Sequence, residues 1–506
     1  MTIAVVSRRE LMRLSTAPSP EPLPVVVVGA GPVGLAAAAH LLERGLEPLV
    51  LEAGDGVGAA VHEWGHIRLF SPWEYDVDAA ARRLLEPSGW VAPPGDLLPT
   101  GAELVTEYLE PLAGTPALRD RIVTGARVVA VSREGMDKTH GAGGEDRPFL
   151  VRTLVDGQVV DHLARAVLDA SGTWSQRNPL GAAGLQAPGE AEAAPSLLGP
   201  LPDVLGRDRD RVAGRHVLVV GAGHSATNTL LNLVELAAAE PATRISWAVR
   251  GASVARAYGG GDADGLPARG RLGSRLREAV EAGKVELLTS VTITGFEEVG
   301  HRVGVAASTP QGPRRLVVDA VAGATGFRPD LTMLRELRLD VDPGVEAPRR
   351  LAPLIDPEHH SCGTVPAHGA ETLAHPEPGF FVVGMKSYGR APTFLLATGY
   401  EQVRSIAAHL AGDERAAREL ELNLPETGVC STSLPVVDPD GTVRIDPAGG
   451  GCCGPAPEPV IIGFPTGLRH GRTGEQTPAA VRSHAPRETT SGSGSRTAAP
   501  SGAGTG

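Results

Sequence analysis

The chain has 506 residues, of which 42% are hydrophobic, and a formal net charge of −12. This length gives room for two or three domains with sizeable cores, and the negative charge argues against nucleic-acid binding and against docking on an anionic membrane. The four cysteines give no disulfide framework, so we expect a reducing, cytoplasmic setting. Residues 1–22 carry a twin-arginine-like sequence without the apolar stretch of an export signal, and we expect a flexible leader there.

The first informative stretch runs from Val25 to Glu52. Four valines predict a buried parallel strand, and a second apolar run at residues 48–51 predicts its neighbour. Between them a G-x-G-x-x-G pattern opens a helix of small residues, and this pattern comprises Gly29, Gly31, Pro32 and Gly34. Such glycines permit a tight turn, the close approach of a pyrophosphate and close helix packing, and Glu52 lies where a carboxylate accepts hydrogen bonds from a ribose. The stretch therefore predicts a dinucleotide-binding site.

Residues 64–73 are dense in aromatic and hydrogen-bonding side chains for a chain with 4% aromatic residues. Trp64 and Phe70 could pack beside a flat ring, and Arg68 could place positive charge near it. The alternative is an ordinary loop anchored by aromatic residues. Because the segment directly follows a nucleotide-binding unit, we favour the functional interpretation and take Arg68 as the candidate catalytic residue.

The following segments complete a first domain. Residues 101–113 predict an amphipathic helix, and strand-like runs follow at residues 127–132, 149–155, 158–162 and 166–169. The last run ends in small residues that include Gly172, which allow a ligand to come close. Residues 182–211 are rich in Ala, Gly and Pro, which indicates a linker or an excursion on the domain surface.

A second nucleotide unit begins at His216. A strand over 217–220 leads into the G-x-G-x-x-A variant of the same pattern and a helix over 225–238, and the pattern comprises Gly221, Gly223, His224, Ser225 and Ala226. The next strand, residues 244–249, ends at Arg250, where the first unit has an acid. An arginine there suits a 2′-phosphate and predicts NADPH rather than NADH. The alternative is a surface arginine that happens to end a strand.

The remaining segments carry weaker signals. We expect a flexible loop over 251–273, a helix over 272–282, strands around 285–296, 303–308 and 315–318, an irregular region over 331–378, a strand over 380–383 leading to Gly384, and a helix over 393–411. Histidines and one cysteine cluster in the irregular region, at His359, His360, Cys362, His368 and His375. They lack the paired spacing of structural zinc sites, so we predict no metal in the folded region.

From about residue 425 the composition changes to Pro, Gly, Ser and Thr, which predicts a disordered tail. Two Rossmann patterns about 190 residues apart predict two bound dinucleotides. We therefore predict an α/β fold with two Rossmann-like domains, the second inserted in the first. The expected order is a leader at 1–22, the first domain in two parts at 23–205 and 323–424, the second domain at 206–322, and a tail at 425–506.

The motifs GAGPVG, GAGHSA and ATGFRPD resemble those of flavoproteins with two dinucleotide-binding domains. Within these, the chain is most similar to the flavin-containing and N-hydroxylating monooxygenases and their bacterial relatives, over roughly residues 24–412. The resemblance implies FAD on the first pattern and NADPH on the second. It also implies that Thr325 and Gly326 lie in the segment that links the second domain back to the first.

Two features depart from this resemblance. The monooxygenase signature F-x-G-x-x-x-H is absent between Gly184 and Arg215, and Gly384 precedes a methionine where related reductases have aspartate. No Cys-x-x-Cys occurs, which argues against a disulfide reductase of the thioredoxin reductase type. The tail is similar to those of flavoproteins from arsenic-resistance gene clusters, and three thiolates suit a trivalent thiophilic ion. The candidate ligands, with incidental cysteines as the alternative, are Cys430, Cys452 and Cys453.

These features together predict an oxidoreductase that uses FAD and NADPH. We expect a monooxygenase that transfers oxygen from molecular oxygen to a small nucleophilic substrate, with the cofactors carrying the redox chemistry. One alternative is an NADPH-driven reductase that passes electrons to another acceptor. Another is a non-catalytic sensor that uses the flavin state and the tail thiols to control a partner. We expect no nucleic-acid and no membrane partner.

Overall fold

The structure is a computed structural model that describes residues 22–139, 144, 146–259, 264, 266–356, 365, 367–391 and 394–421, and the backbone of 436–437 and 443–444. The strands that build the domains are β1 Val25–Val28, β2 Pro48–Leu51, β3 Ile122–Val123, β4 Ala126–Arg133, β5 Phe149–Val155, β6 Gln158–Ala164, β7 Ala166–Asp169, β8 Leu197–Leu198, β9 His216–Val220, β10 Arg244–Ala248, β11 Glu286–Leu288, β12 Thr292–Val299, β13 Arg302–Thr309, β14 Gly312–Val318, β15 Ala320–Gly323 and β16 Phe380–Val382. A short antiparallel pair joins Val436–Val437 and Val443–Arg444.

The helices lie between these strands. The α-helices are α1 Pro32–Glu43, α2 Ala59–Glu63, α3 Trp73–Asp76, α4 Ala79–Leu85, α5 Gly101–Leu104, α6 Glu110–Ala113, α7 Arg209–Val212, α8 His224–Ala239, α9 Pro267–Glu281, α10 Ala352–Ile355, α11 Ala370–Leu373, α12 Leu396–Leu410 and α13 Glu414–Arg418. A π-helical turn, Val105–Leu109, joins α5 to α6. The 3₁₀ turns are Glu86–Ser88, Arg119–Arg121, Ala182–Gly184, Ala194–Ser196, Ala255–Tyr258, Thr332–Leu334 and Gly384–Tyr388.

A five-stranded parallel sheet with the order β16-β7-β1-β2-β3 forms the centre of the first domain. Its central strand β1 consists of four valines that are at most 5% exposed. A parallel strand covered on both faces needs such a continuous apolar run, because neither face meets water. Strand β16 lies beside β7 although β7 ends at Asp169 and β16 begins at Phe380, so the chain leaves this sheet and returns to it.

A second five-stranded parallel sheet has the order β11-β10-β9-β15-β8. All of its strands lie between β7 and β16 along the chain. The second Rossmann-like domain is therefore inserted in the first, as the sequence predicted. Strand β8 joins this sheet before the predicted domain start at residue 206, so the chain enters the second sheet earlier than its composition suggested.

Both domains have three layers. In the first, α1 and α12 cover one face of the sheet, and the antiparallel sheet β4-β5-β6 covers the other. In the second, α8 and α9 cover one face and the antiparallel sheet β12-β13-β14 covers the other. Gly399 of α12 allows a close crossing with α1, because a Cβ there would lie 2.6 Å from Val33 Cγ2. The sequence Ala-Thr-Gly at residues 397–399 repeats the first three residues of the motif ATGFRPD, and here it serves helix packing.

The structure differs from the sequence-based prediction at three places. Residues 182–211 are not a bare linker, since the buried carboxylate of Glu190 accepts N–H hydrogen bonds from Leu180, Gly181 and Ala187, and β8 pairs with β15. Helix α9 begins at Pro267, within the predicted loop, because proline suits the first turn of a helix. Strand β15, which follows β14 after one residue, was not predicted from its four small residues.

Among the described residues, none of the helices combines the length and apolar character required to cross a membrane.

Candidate functional site

The residues that follow the strands of both parallel sheets surround one cavity of about 970 Å³. This edge of a parallel sheet is where α/β domains bind ligands, and the volume suits a large ligand. The predicted site residues that line the cavity are Gly29, Gly31, Pro32, Glu52, Trp64, Arg68, Gly172, Gly221, Gly223, His224, Ser225, Arg250, Thr325, Gly326 and Gly384. Gly34 and Ala226 are buried in the packing behind it.

The G-x-G-x-x-G pattern at residues 29–34 and its G-x-G-x-x-A variant at residues 221–226 are called here the first and the second fingerprint. The backbone of the first fingerprint turns sharply out of β1. Gly29 has φ of +101°, and a Cβ there would lie 2.8 Å from the carbonyl oxygen of Ala170. A Cβ on Gly34 would lie 2.0 Å from the carbonyl oxygen of Gly29, so the helix packs directly on the turn. Gly31, by contrast, has no atom within 4 Å of a Cβ position and caps α1 without a side-chain hydrogen bond. The N–H groups that begin α1 therefore face open space that a phosphate can enter.

Glu52 is fixed at the end of β2. Its carboxylate accepts hydrogen bonds from the N–H of Ala30 at 2.6 Å and of Gly54 at 2.8 Å. Each carboxylate oxygen has further lone pairs, so the group can still accept hydrogen bonds from ribose hydroxyls. The acid is thus held in place before any ligand binds.

The second fingerprint repeats this geometry. Gly221 has φ of +128°, and a Cβ there would lie 2.0 Å from the carbonyl oxygen of Ala324. Gly223 has open space around it and caps α8 without a side-chain hydrogen bond. An added support is the buried indole of Trp247, which donates to the carbonyl oxygen of Gly221 at 2.6 Å. Trp247 was not predicted as a site residue, although its position in β10, the strand beside β9, is a usable signal.

Two exposed arginines line the cavity near the second fingerprint. Arg250 follows β10, as predicted, and Arg256 lies in the 3₁₀ turn after it. Within the described ranges neither guanidinium has a recorded hydrogen bond or ion pair. Two free guanidinium groups at this position suit a phosphate on a ribose. Arg256 was not predicted, because the loop that contains it carries no motif.

Two segments connect the domains, one around residue 178 and one around residue 325, and hydrogen bonds join these segments to each other. The hydroxyl of Thr325 donates to the carbonyl of Asn178 at 2.7 Å, and the Asn178 amide donates to the carbonyl of Thr325 at 3.2 Å. The N–H of Asn178 also donates to Gly326 at 3.0 Å. Thr325, Gly326 and Gly172 thus lie on the paired connections at the cavity wall.

The aromatic segment contacts the second domain. Trp64 lines the cavity and packs on Gly101, where a Cβ would lie 2.8 Å from its ring. Phe70 lies 5.2 Å, centroid to centroid, from the ring of His224 at the start of α8. Burial lowers the pKa of His224, and the positive charge of Arg269 lowers it further, so the ring is neutral at neutral pH. The contact is therefore between two uncharged rings.

Arg68 lies at the rim of the cavity. Its side chain is 56% exposed, it donates to the carbonyl of Leu98, and its guanidinium lies 3.6 Å from the Glu103 carboxylate. Leu98 and Glu103 therefore hold the Arg68 guanidinium at the rim of the cavity.

A polar network supports the segment after β16. The N–H of Gly384 donates to the side-chain oxygen of Gln402 at 2.8 Å, and the Gln402 amide donates to Ser387 at 2.9 Å. Buried Lys386 lies 2.6 Å from the Asp169 carboxylate and donates to Ser171 at 3.0 Å. This ion pair ties the end of β7 to the end of β16 beside the cavity. Lys386 was not predicted as a site residue, although the chain has only three lysines.

A buried carboxyl lies behind the aromatic segment. Ser71, which lines the cavity, donates to Asp76 Oδ1 at 2.8 Å, while Asp76 Oδ2 has no hydrogen-bond partner among the described atoms. Burial raises the pKa of Asp76 to about 7, and the hydrogen bond from Ser71 opposes that shift. In the second domain the buried carboxylate of Asp264 instead has a two-bond ion pair with Arg269, at 2.8 Å for each bond.

The predicted cysteine and histidine sites are mostly outside the described residues. Cys362, Cys430, Cys452 and Cys453 lie there, as do His359 and His360. His368 and His375 are buried; His368 bonds to Gln402, and His375 accepts the N–H of Asp340. Among the residues that the structure describes, there is no group of metal-ligating side chains.

Comparisons with known proteins agree with this architecture. A family profile described as an NAD(P)-binding Rossmann-like domain matches residues 27–91, which contain the first fingerprint. No curated protein sequence matches the chain. Among solved structures, the bacillithiol disulfide reductase of Bacillus cereus is similar with a TM-score of 0.57 at 19% identity, over 78% of this chain and 99% of that one.

Two monooxygenases are similar to the same extent. The FAD-bound cadaverine monooxygenase of Erwinia amylovora has a TM-score of 0.55 at 12% identity, over 80% of this chain and 99% of that one. The ornithine N-hydroxylase of Kutzneria sp. 744, in complex with reduced FAD, NADP⁺ and L-ornithine, has a TM-score of 0.54 at 14% identity, over 78% of this chain and 100% of that one. The chain therefore has the two-domain fold of these solved structures. Both fingerprints line the same cavity.

Proposed function

We propose that the protein is an oxidoreductase that binds FAD in its first domain and NADPH in its second. The N–H groups at the start of α1 and the fixed carboxylate of Glu52 fit the pyrophosphate and ribose of FAD. The start of α8 fits the NADPH pyrophosphate, and Arg250 and Arg256 fit its 2′-phosphate. When bound, these cofactors supply the redox chemistry by hydride transfer from nicotinamide to flavin.

Within this class, we propose a monooxygenase that oxygenates a small nucleophilic substrate. The observation that carries this proposal is the lining of the shared cavity, which is mostly apolar and includes five aromatic side chains. The aromatic residues of the lining are Trp64, Phe70, Trp174, Phe327 and Phe394. Apolar and aromatic side chains disfavour water beside the reacting atoms, which limits side reactions that release oxidant to solvent.

The chain's own residues act by binding and positioning. Backbone N–H groups hold the two pyrophosphates, and the joined segments at Asn178 and Thr325 fix the connections between the domains. The Lys386–Asp169 ion pair fixes Ser171 at the cavity wall. Flavin reduction by NADPH requires no acid–base pair, so we assign none.

The test is oxygen labelling of the flavin-loaded protein. With ¹⁸O₂, NADPH and a panel of amines, sulfides and trivalent arsenicals, we expect one labelled oxygen in the product and one water formed for each NADPH oxidised. NADPH oxidation that reduces another acceptor without incorporating label would indicate the reductase. Bound flavin without steady NADPH oxidation for any compound would indicate the sensor, and protein that binds no FAD would refute the proposal as a whole.

A further inference from the structure

The charges that line the cavity are strongly uneven. Among the described lining residues the single carboxylate is Glu52, whereas the arginines are Arg68, Arg250, Arg256 and Arg390. Glu52 belongs to the first fingerprint, and Arg250 and Arg256 belong to the second domain. Arg68 already has Leu98 and Glu103 as partners. Arg390 remains without a role in cofactor binding.

The backbone at Arg390 is fixed. The preceding Gly389 has φ of +57°, and a Cβ there would lie 2.1 Å from the carbonyl oxygen of Val345, so this position requires glycine. The N–H of Arg390 donates to that same carbonyl at 2.7 Å. The chain is thus held against residues 345–346, with Arg390 at the cavity wall.

The guanidinium of Arg390 is nevertheless available. The neighbouring acid, Glu346, uses its carboxylate to bind Arg328, with Arg328 Nε at 3.2 Å. For Arg390 itself, no side-chain hydrogen bond or ion pair is recorded with any described residue. Arg390 is thus an exposed residue on a fixed backbone at the cavity wall, and an unpaired guanidinium there is suited to binding an anion.

Apolar groups surround this position. Ala391, Phe394 and Leu395 continue the cavity wall from Arg390 towards α12. The ring of Phe394 is fixed between Tyr388, at 5.1 Å between centroids, and Gly399, where a Cβ would lie 2.7 Å from it. Phe394 also lies beside Val33 of the first fingerprint helix through that same glycine. Arg390 therefore adjoins an apolar part of the cavity wall that reaches the helix of the first fingerprint.

We propose that Arg390 binds an anionic group of the substrate, and that the substrate is a carboxylate with an apolar body rather than an ammonium compound. This inference rests on the proposed function and names its substrate class. A carboxylate matches the two parallel N–H groups of a guanidinium, and the apolar body packs against Phe394. An ammonium group finds no free counter-charge among the described lining residues, because the one carboxylate there, Glu52, is assigned to the ribose of FAD.

The test uses three aryl methyl sulfides of similar shape: para-(methylthio)benzoate, thioanisole and para-(methylthio)benzylamine. Binding to the FAD-loaded protein is measured by the change in flavin absorbance, with NADP⁺ present so that Arg250 and Arg256 are covered. We expect the acid to bind more tightly than the amine. Arg390→Ala should weaken binding of the acid by about tenfold or more, the scale for a lost hydrogen bond to a charged group, and leave thioanisole unchanged.

Two further variants sharpen the result. Arg390→Lys keeps the charge without the guanidinium fork and should give an intermediate affinity for the acid. Arg418→Ala, on the exposed α13, removes one positive charge elsewhere and should leave all three affinities unchanged. No preference for the acid in the wild-type protein, or loss of FAD in Arg390→Ala, would overturn the inference. If the acid binds as expected but none of the sulfides becomes a sulfoxide in NADPH and oxygen, the proposed function fails while the binding inference stands.

Discussion

The two fingerprints use one backbone geometry with different ends. In each, the first glycine crowds against the carbonyl that follows a neighbouring strand, at Ala170 in the first domain and Ala324 in the second. In each, the second glycine, Gly31 or Gly223, leaves open space at a helix start without a side-chain cap. The phosphate-binding part is thus determined by backbone conformation, and what distinguishes the two sites lies at the end of the next strand.

At that end the first site is rigid and the second is not. Glu52 is held by two backbone N–H groups, whereas Arg250 and Arg256 are exposed and have no recorded partner within the described ranges. Ordering a long side chain on binding costs about 0.5–1.5 kcal/mol for each residue. The first site therefore suits a cofactor that stays bound, and the second suits one that must exchange at each turnover.

Two buried carboxyl groups near the cavity, one in each domain, differ in their partners. Asp264 of the second domain has Arg269 as its ion-pair partner, whereas Asp76 of the first has the neutral hydroxyl of Ser71. Burial without a cation favours the protonated form, which is why the pKa of Asp76 rises to about 7. The stability of the first domain should consequently depend on pH through the ionisation of Asp76.

The largest expected effect follows from this group. The folded protein holds the Asp76 proton up to about pH 7, whereas the unfolded chain releases it near the ordinary aspartate pKa of 3.8. The free energy of unfolding should therefore fall by about 1.4 kcal/mol per pH unit in that window, roughly 4 kcal/mol in all, and stay constant above it. Asp76→Asn, which keeps an acceptor for Ser71, should remove this fall in urea denaturation series from about pH 5 to about pH 8. An equal fall in the variant and the wild type would show that Asp76 is ionised in the folded protein.

The sequence predicted the parts of the fold that depend on local pattern. Strands β1, β2 and β7 have the predicted bounds, because buried parallel strands are continuous apolar runs. Strand β15 was missed, since four small residues become a strand only through pairing with β9 and β8, which are distant in the chain. Arg390 and Arg256 were missed for the same reason: neither belongs to a motif, and only the fold brings them to the cavity.

The arginines of the second site give the next prediction. Arg250→Ala should weaken NADPH binding by about 1.5–3 kcal/mol, the scale for a lost hydrogen bond to a charged group, and hardly change NADH use. Arg256→Ala should act in the same direction. Steady-state kinetics with both nucleotides measures the difference. An equal loss with NADPH and NADH would show that Arg250 does not contact the 2′-phosphate.

Matched glycine variants test whether the two sites are separable. A methyl group on Gly31 or Gly223 meets no protein atom within 4 Å, so both variants should fold. The added methyl group would occupy space that a pyrophosphate needs, and overpacking of this kind should weaken binding by about 1–3 kcal/mol. Gly31→Ala should lose bound FAD and its yellow colour, whereas Gly223→Ala should keep FAD and be reduced by NADPH only at higher concentration. Loss of flavin from Gly223→Ala would mean that the second domain also holds FAD.

Arg68 should show the smallest effect. It lines the cavity beside the first site, and placing its charge next to the flavin would make it important for the rate of flavin reduction. Yet its guanidinium is bound by Leu98 and Glu103 and is more than half exposed, and exposed ion pairs contribute about 0.2–1 kcal/mol. Arg68→Ala should therefore change the rate of flavin reduction by NADPH, followed by stopped-flow absorbance, by less than about fivefold. Glu103→Gln, which removes the partner charge, is the matched control and should change that rate equally little. A rate lowered by a hundredfold in Arg68→Ala alone would show that Arg68 leaves its loop partners and acts at the flavin once the cofactor is bound.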